Sequence, residues 1–314
     1  MTFSNPTRRH VLGGLAAASL VPVSSAWALS GGPSMTFLVL GDWGRFGQGS
    51  QRIVADRMAE TAMEIGARFV LTVGDNFYEN GVTGVDDPHW DGSFEKIYHA
   101  ASLQVPWYAA LGNHDYRGNE QAQIDYAARK GRWTMPDRWY SFGQQAPDGA
   151  TVEFFVIDST PMISGYYHDK KTNVADQDVE GQLRWLDRSL AASTAQWKIV
   201  VGHHPVVRYS AAEQAAAADM IDRVDPILQR HGVPLYLHGH NHNLQHVRRG
   251  LTDYICAGAG SQNDDPCSDN GGDFCALKPG FVAAALNRES IRVGYRDADG
   301  TELHVVQINR LAGG

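Results

Sequence analysis

The sequence predicts an α/β domain that becomes strand-rich toward its C-terminus, and three observations predict it. Short apolar runs alternate with segments of helical spacing through the first two thirds of the chain. Beyond that, apolar runs follow one another with only turn residues such as "DADG" between them. Five of the apolar runs also end in Gly followed by Asp, Asn or His. In open α/β sheets the carboxyl ends of strands are where sites form, and glycine permits the tight turn that points a ligand back over the sheet edge.

Taken in order, "TFLVL" (36–40) runs into "GDWG", and Ile53, Val54, Met58, Ala62 and Ile65 then mark an amphipathic helix. "FVLTV" (69–73) runs into "GDNFY", and "VPWYAAL" (105–111) into "GNHD". "GRWTMPDRWYSF" (131–142) reads as aromatic packing under a loop. "VEFFVID" (152–158) is a buried strand, and "QLRWLDRSLAAS" (182–193) a helix with Leu183, Leu186 and Leu190 facing in. "KIVV" (198–201) runs into "GHHP", an Ala-rich helix spans about 213–230, and "PLYL" (234–237) runs into "HGHNH". "DYICAG", "FVAAAL", "IRVGYR" and "LHVVQI" complete the strands. No linker or repeat interrupts the chain, so residues 29–314 read as one catalytic domain.

Residues 1–28 stand apart as a cleavable signal. Arg8 and Arg9 precede an uncharged run from Val11 to Val23, and Ala26-Trp27-Ala28 is an A-x-A cleavage pattern. That run has 13 residues, short of the roughly 20 needed for a span, so export fits and a stable membrane anchor does not. "TRRHVL" resembles the core of a twin-arginine signal, which makes the twin-arginine export machinery an expected partner and a bacterial periplasm or exterior the expected destination. Removing the two arginines takes the net charge from −8 to −10. Without a basic face, nucleic acid is excluded as a partner. An oxidising compartment permits a disulfide between Cys267 and Cys275, while Cys256, inside a strand-like run, reads as a small buried hydrophobe.

The strand ends collect Asp42, Asp75, Asn113, His114, Asp115, His203, His204, His240 and His242. Oxygen and imidazole donors suit Fe, Zn or Mn. The set exceeds what one tetrahedral ion needs and points to two ions bridged by a carboxylate, with Asp75 the natural bridge. Two metals about 3.5–4 Å apart suit phosphate ester hydrolysis, because they hold the phosphate, generate a hydroxide nucleophile and neutralise the leaving group. His204, His238 and His246 read as supporting or structural residues. Tyr78 stands out as a phenol three residues after Asp75 in a Gly- and Asn-rich loop.

"GDWG", "GDNFY", "GNHD", "GHHP" and "GHNHNLQ", in this order, resemble the calcineurin-like metallophosphoesterase superfamily, and within it the purple acid phosphatases of the small tartrate-resistant type. "FFVIDST" followed by "QLRWLDRSL" extends the resemblance, which covers most of residues 36–250. It implies a sandwich of two mixed β-sheets flanked by helices. It also implies an acid phosphatase that attacks phosphomonoesters in line with hydroxide, with a small phosphorylated molecule as substrate. Carried over motif by motif, it assigns Asp42, Asp75, Tyr78 and His242 to Fe(III), and Asp75, Asn113, His203 and His240 to a divalent Fe, Zn or Mn. Tyr78 would bind as a tyrosinate, a hard anionic donor suited to the ferric state. His114 would contact the phosphate or assist the leaving group, and Asp115 would orient His114 through a hydrogen bond.

The family's further substrate-side histidine is missing after His204; Arg208, Tyr209, Glu213 or Gln214 stands in that region. Residues 160–178 form a long polar loop with Lys170 and Lys171, placed where mammalian relatives carry a loop that is cut on activation. Two other readings remain open at this point: a phosphodiesterase or nucleotidase of the same superfamily without a ferric tyrosinate, and a non-catalytic iron- or phosphate-binding protein.

Overall fold

The computed structural model describes Trp27 and residues 29–30, 32–129, 131–206, 214–267 and 272–310, without the side chains of 214–216. Arg8 and Arg9, the rest of the expected signal apart from Trp27, and Arg208, Tyr209 and Glu213 lie outside the described residues.

The first sheet begins with β1 (Met35–Leu40), β2 (Val70–Val73), β3 (Trp107–Ala110) and the short β4 (Trp133–Thr134), all parallel neighbours. The second contains β5 (Tyr140–Gln145), β6 (Thr151–Val156), β7 (Trp197–Val201), β8 (Leu235–His238), β9 (Leu244–Arg249), β10 (Thr252–Ala257) and β11 (Phe274–Ala276), in the order β11-β9-β10-β8-β7-β6-β5. Its centre, β6-β7-β8-β10, is parallel, and its edges are antiparallel. The chain then returns to the first sheet. β12 (Gly280–Leu286) pairs antiparallel with β1 from Met35↔Leu286 to Val39↔Val282, and β13 (Ser290–Asp297) and β14 (Glu302–Asn309) follow outward. Among the described residues the result is two mixed seven-stranded sheets, as the resemblance implies. The near-continuous burial of β1, β2, β7, β8 and β12 explains their unbroken apolar sequences.

Helices flank the sheets. In α1 (Gln51–Ile65) the buried stripe is Gln51, Val54, Ala55, Met58, Thr61, Ala62 and Ile65. Ile53, expected on that stripe, is half exposed because it lies off the face that the period of 3.6 sets. Gly66, at φ 65°, ends the helix by donating its N–H to the Ala62 carbonyl. Two further helices are α2 (Gln121–Ala127) and α3 (Val179–Ala192). Asp178 caps α3 by accepting from the Gly181 N–H at 2.8 Å, so the helix starts earlier than its leucines suggest. Leu186 and Leu190 are buried as expected, and Leu183 only half so. The Ala-rich segment is two helices, α4 (Gln214–Arg223) and α5 (Asp225–Arg230). Pro226 cannot donate a backbone hydrogen bond and starts a new helix.

Cys267 and Cys275 form a disulfide, and Cys256 is buried with its Sγ against the carbonyls of Asn241 and Asn243. The 160–178 segment is less open than its polarity suggests, since two tight turns bury Met162 and Ile163 and Val174 is buried further on. Trp27, on the signal side of the expected cut, is buried with the Arg292 guanidinium 4.2 Å from its ring.

Beneath the first two motifs lies an aromatic cluster. The Trp43 ring meets Tyr98 at 5.3 Å, Phe77 at 5.5 Å and Trp107 at 6.0 Å, and its Nε1 donates to Asn76 Oδ1 at 3.2 Å. Trp133, from the aromatic loop, joins the cluster. Burial of this size predicts that Trp43→Ala costs about 3–5 kcal/mol in urea unfolding; a loss below about 1 kcal/mol would mean the cluster does not support the motif loops.

Candidate metal centre

The predicted ligands follow the carboxyl ends of β1, β2 and β3 in one sheet and β7 and β8 in the other, so the site spans the ends of both sheets. Three of them adopt left-handed backbone: Asp42 (φ 60°), Asp75 (φ 49°) and His240 (φ 72°). The turns expected at the glycines are carried mostly by the predicted ligands themselves. The glycines instead make room. A Cβ on Gly112 would lie 2.2 Å from Asp75 Oδ1, and one on Gly74 2.5 Å from His203 Nδ1.

Tyr78 occupies one half of the site. Its hydroxyl is 2.9 Å from Asp42 Oδ1, 2.9 Å from Asp75 Oδ2 and 3.0 Å from His242 Nε2. One phenolic hydrogen cannot serve three acceptors, and two carboxylates with a phenol in a buried space call for a cation. In the other half Asn113 Oδ1 lies 3.2 Å from His203 Nε2 and 3.1 Å from His240 Nδ1, and His203 Nε2 is 3.5 Å from Asp75 Oδ1. His203 Nδ1 faces the Val73 carbonyl at 2.8 Å, which assigns a hydrogen to that nitrogen and turns Nε2 toward the oxygens. Asp75 presents one oxygen to each half. These donors fit two cations: oxygens and a phenol on one side, an amide oxygen and two imidazoles on the other.

Protonation reflects the same crowding. Burial pushes Asp42 up to about 7, with Asp75 adding to the rise and His203 opposing it. Burial likewise drives the Tyr78 phenol well above its ordinary range, helped by Asp42 and Asp75. Burial would lower His203, but Asp75 overcomes it and raises the imidazole to about 9. Burial and the neighbouring His203 bring His240 down to about 3.

The surrounding contacts include several the sequence did not disclose. His242 Nδ1 meets Asp264 Oδ1 at 2.7 Å, and the His242 N–H donates to Asp265 Oδ2 at 2.7 Å. "QNDD" (262–265) carries no motif, so only the fold brings these aspartates to His242. His204 is packed against His240, with ring centroids 4.5 Å apart, and its nitrogens meet Ser159 Oγ at 2.9 Å and Tyr166 Oη at 3.0 Å. It supports the site, and Tyr166 ties the 160–178 segment to it. His238 and His246 are buried outside the ligand set.

Asp115 requires a correction. Its carboxylate accepts from the Gly112 N–H at 2.8 Å, the Asn76 N–H at 3.1 Å and Gln123 Nε2 at 2.8 Å. It braces the "GDNFY" and "GNHD" loops against each other and does not hold the His114 ring. That ring's Nδ1 instead meets the Glu79 carbonyl at 2.7 Å and Arg117 Nη1 at 2.9 Å, while Nε2 is 3.9 Å from Asp75 Oδ2. Neighbours one residue apart point their side chains in different directions on this tight turn, so sequence adjacency misled.

Residues 35–244 match the calcineurin-like phosphoesterase family. Purple acid phosphatase 17 of Arabidopsis thaliana is 36% identical over 287 residues, covering 86% of this chain and 83% of that protein. Tartrate-resistant acid phosphatase type 5 of Oryctolagus cuniculus is 34% identical over 310 residues, covering 91% and 94%. Among solved structures, GAP50, the anchor in the inner membrane complex of Plasmodium, superposes with a TM-score of 0.76 at 24% identity, covering 89% and 90%; that likeness concerns the fold alone. The chain belongs to the calcineurin-like phosphoesterases. Within them, it is a member of the purple acid phosphatase family.

Two outcomes follow from the geometry. Gly112→Ala should fold cooperatively yet bind less metal, seen as a fall in metal per chain, because its Cβ must displace the Asp75 carboxylate. A metal must also displace the protons held on Asp42 and Tyr78. Loading apo-protein at pH 6 should therefore release more than one proton per chain, and apparent affinity should go on rising with pH beyond 7, where Asp42 ionises, because His203 keeps its proton to about 9 and the Tyr78 phenol higher still; proton release measured in weakly buffered solution checks this.

Proposed function

We propose that the chain is an exported acid phosphatase whose two ions are Fe(III), held by Asp42, Asp75, Tyr78 and His242, and a divalent Fe, Zn or Mn, held by Asp75, Asn113, His203 and His240. As a purple acid phosphatase it is a dinuclear metal-dependent hydrolase of phosphomonoesters. The observation that carries the iron assignment is the Tyr78 hydroxyl among two carboxylates and an imidazole. When bound, the ions supply Lewis acidity toward the phosphate and a hydroxide nucleophile at mild pH.

The chain's own residues do the rest. Asp75 keeps the two halves in register, with Oδ1 fixed by the His114 N–H at 2.8 Å. Asp264 holds the His242 ring in the orientation that turns Nε2 inward. His114 stands at the edge of the site, with its Nε2 turned toward Asp75, where it stabilises charge on the phosphate or hands a proton to the leaving oxygen. The Glu79 carbonyl orients it by accepting from Nδ1. A non-catalytic binder does not require His114, and the phosphodiesterase reading has no ferric tyrosinate and so no use for Tyr78 in this place. The substrate is a small phosphorylated molecule.

For export we propose the twin-arginine route, with cleavage near residue 28 and one catalytic domain after it. Among the described residues no helix is long and apolar enough to cross a membrane. Mass spectrometry of the exported protein locates the cut. A mature chain beginning at Leu29 matches the A-x-A pattern, whereas one beginning at Trp27 would keep that buried ring in the core.

Purified aerobically, the protein should hold two ions per chain and absorb in the visible, and Tyr78→Phe should lose the band. A colourless protein with two non-iron metals would overturn the ferric assignment. His114→Ala should retain the metals and lose about 10²–10⁴-fold in turnover on para-nitrophenyl phosphate. Faster hydrolysis of the bis-ester by the wild type would favour a phosphodiesterase.

A further inference from the structure

Tyr78 is gripped from its face as well as from its hydroxyl. The guanidinium carbon of Arg45 lies 3.7 Å from the ring centroid, and the His114 ring is 4.3 Å away. Arg45 is held in place: Nε donates to Ser261 Oγ at 3.1 Å, and Nη1 pairs with Glu79 Oε1. Ser261 Oγ in turn donates to the backbone carbonyl of Asp42 at 2.6 Å. The arginine side chain is only 12% exposed, whereas Glu79 is 61% exposed. A fixed, poorly hydrated cation therefore stands on the face of the phenol.

Resting on the ferric-tyrosinate reading above, we propose that Arg45 is a positioning residue that sets the electron-donating strength of Tyr78 toward the iron. A guanidinium over an aromatic face is attracted by the ring's electron density and lowers the energy of its occupied orbitals. The effect is larger on an anionic phenolate than on a neutral phenol. The hydroxyl meets Asp42, Asp75 and His242, while Arg45 lies over the ring. The guanidinium is thus nearer the donor ring than anything bound beyond the oxygen, and Coulomb energy falls with distance. Arg45 makes the tyrosinate a weaker donor, which raises the energy of charge transfer from ring to iron and favours the reduced ion. Glu79 opposes it by neutralising part of that charge.

The experiment is absorption spectroscopy and redox titration on iron-loaded protein: wild type, Arg45→Met, Arg45→Lys and Glu79→Gln, at matched iron content. Arg45→Met should move the charge-transfer maximum to longer wavelength and lower the reduction potential. Glu79→Gln should move the maximum to shorter wavelength and raise the potential. Arg45→Lys, which keeps the charge and loses the planar stack, should fall between wild type and Arg45→Met. A role confined to holding the loop would change iron content or thermal stability and leave both readouts in place. A wild-type band that does not move in any variant overturns the role of Arg45 while leaving the ferric tyrosinate standing. No band in iron-loaded wild type overturns both. Should Arg45→Met fail to fold or to bind iron, opposite shifts in Arg45→Lys and Glu79→Gln support the proposal, and unmoved maxima in those two refute it.

Discussion

A Cβ on Gly239 would lie 2.4 Å from Asp42 Oδ2, and one on Gly41 2.6 Å from Val73 Cγ2. The same holds for the glycines before Asp75, Asn113 and His203, each of which has a neighbouring side-chain atom where its own would be. The site depends on this close approach, because Asp42, Asp75, Asn113, His203 and His240 meet across the two sheets only if the residue just before each of them is bare. The turns then lock onto one another through the main chain. The Asp42 N–H donates to the Gly74 carbonyl, Trp43 to Asp75, Gly239 to His203 and Gly41 to Ala257. Left-handed backbone at three non-glycine ligands is costly, and it persists because these bonds over-determine it.

What the close approach assembles is a set of acidic groups that cannot all ionise without added cations. Asp42, Asp75 and Tyr78 are buried side by side, and the side chains paired with the two carboxylates among the described residues are histidines, not Lys or Arg. Burial keeps protons on Asp42 and Tyr78 in the bare protein, and Asp75 remains ionised because His203 balances it. The fold thus stores binding capacity for cations that no side chain of its own supplies. The outer contacts are graded accordingly: carbonyls and carboxylates face the backs of the histidine rings at Val73, Glu79 and Asp264, so the inward nitrogens are turned to the site.

The residues that meet at the strand ends were legible because each requirement is local. A strand end, a bare residue and a donor fit in three or four positions, and five such groups in one order are hard to confuse with ordinary turns. The supporting residues were not legible. Asp264 and Asp265 reach His242 through the return of the chain after β10, and Asp115 looks like a partner of His114 until the turn sends its carboxylate to Asn76, Gly112 and Gln123. The strands β5 and β9 do not read as strands for a related reason: β5 alternates buried with exposed or partly exposed residues, and β9 is buried only over its first three, two of which are Gln245 and His246.

By itself the sequence determined most of the buried strands in order and the donors at their ends, since these follow from short-range periodicity and residue chemistry, while the weight of Tyr78 came from the family resemblance. Tertiary structure alone decided which sheet each C-terminal strand joins, with β12 pairing beside β1 across the length of the chain. It also decided that Tyr166 closes over His204 and that Arg45 lies on the face of Tyr78. Those contacts join residues whose separation along the chain carries no signal, and they form only when packing two sheets against one core brings their ends together.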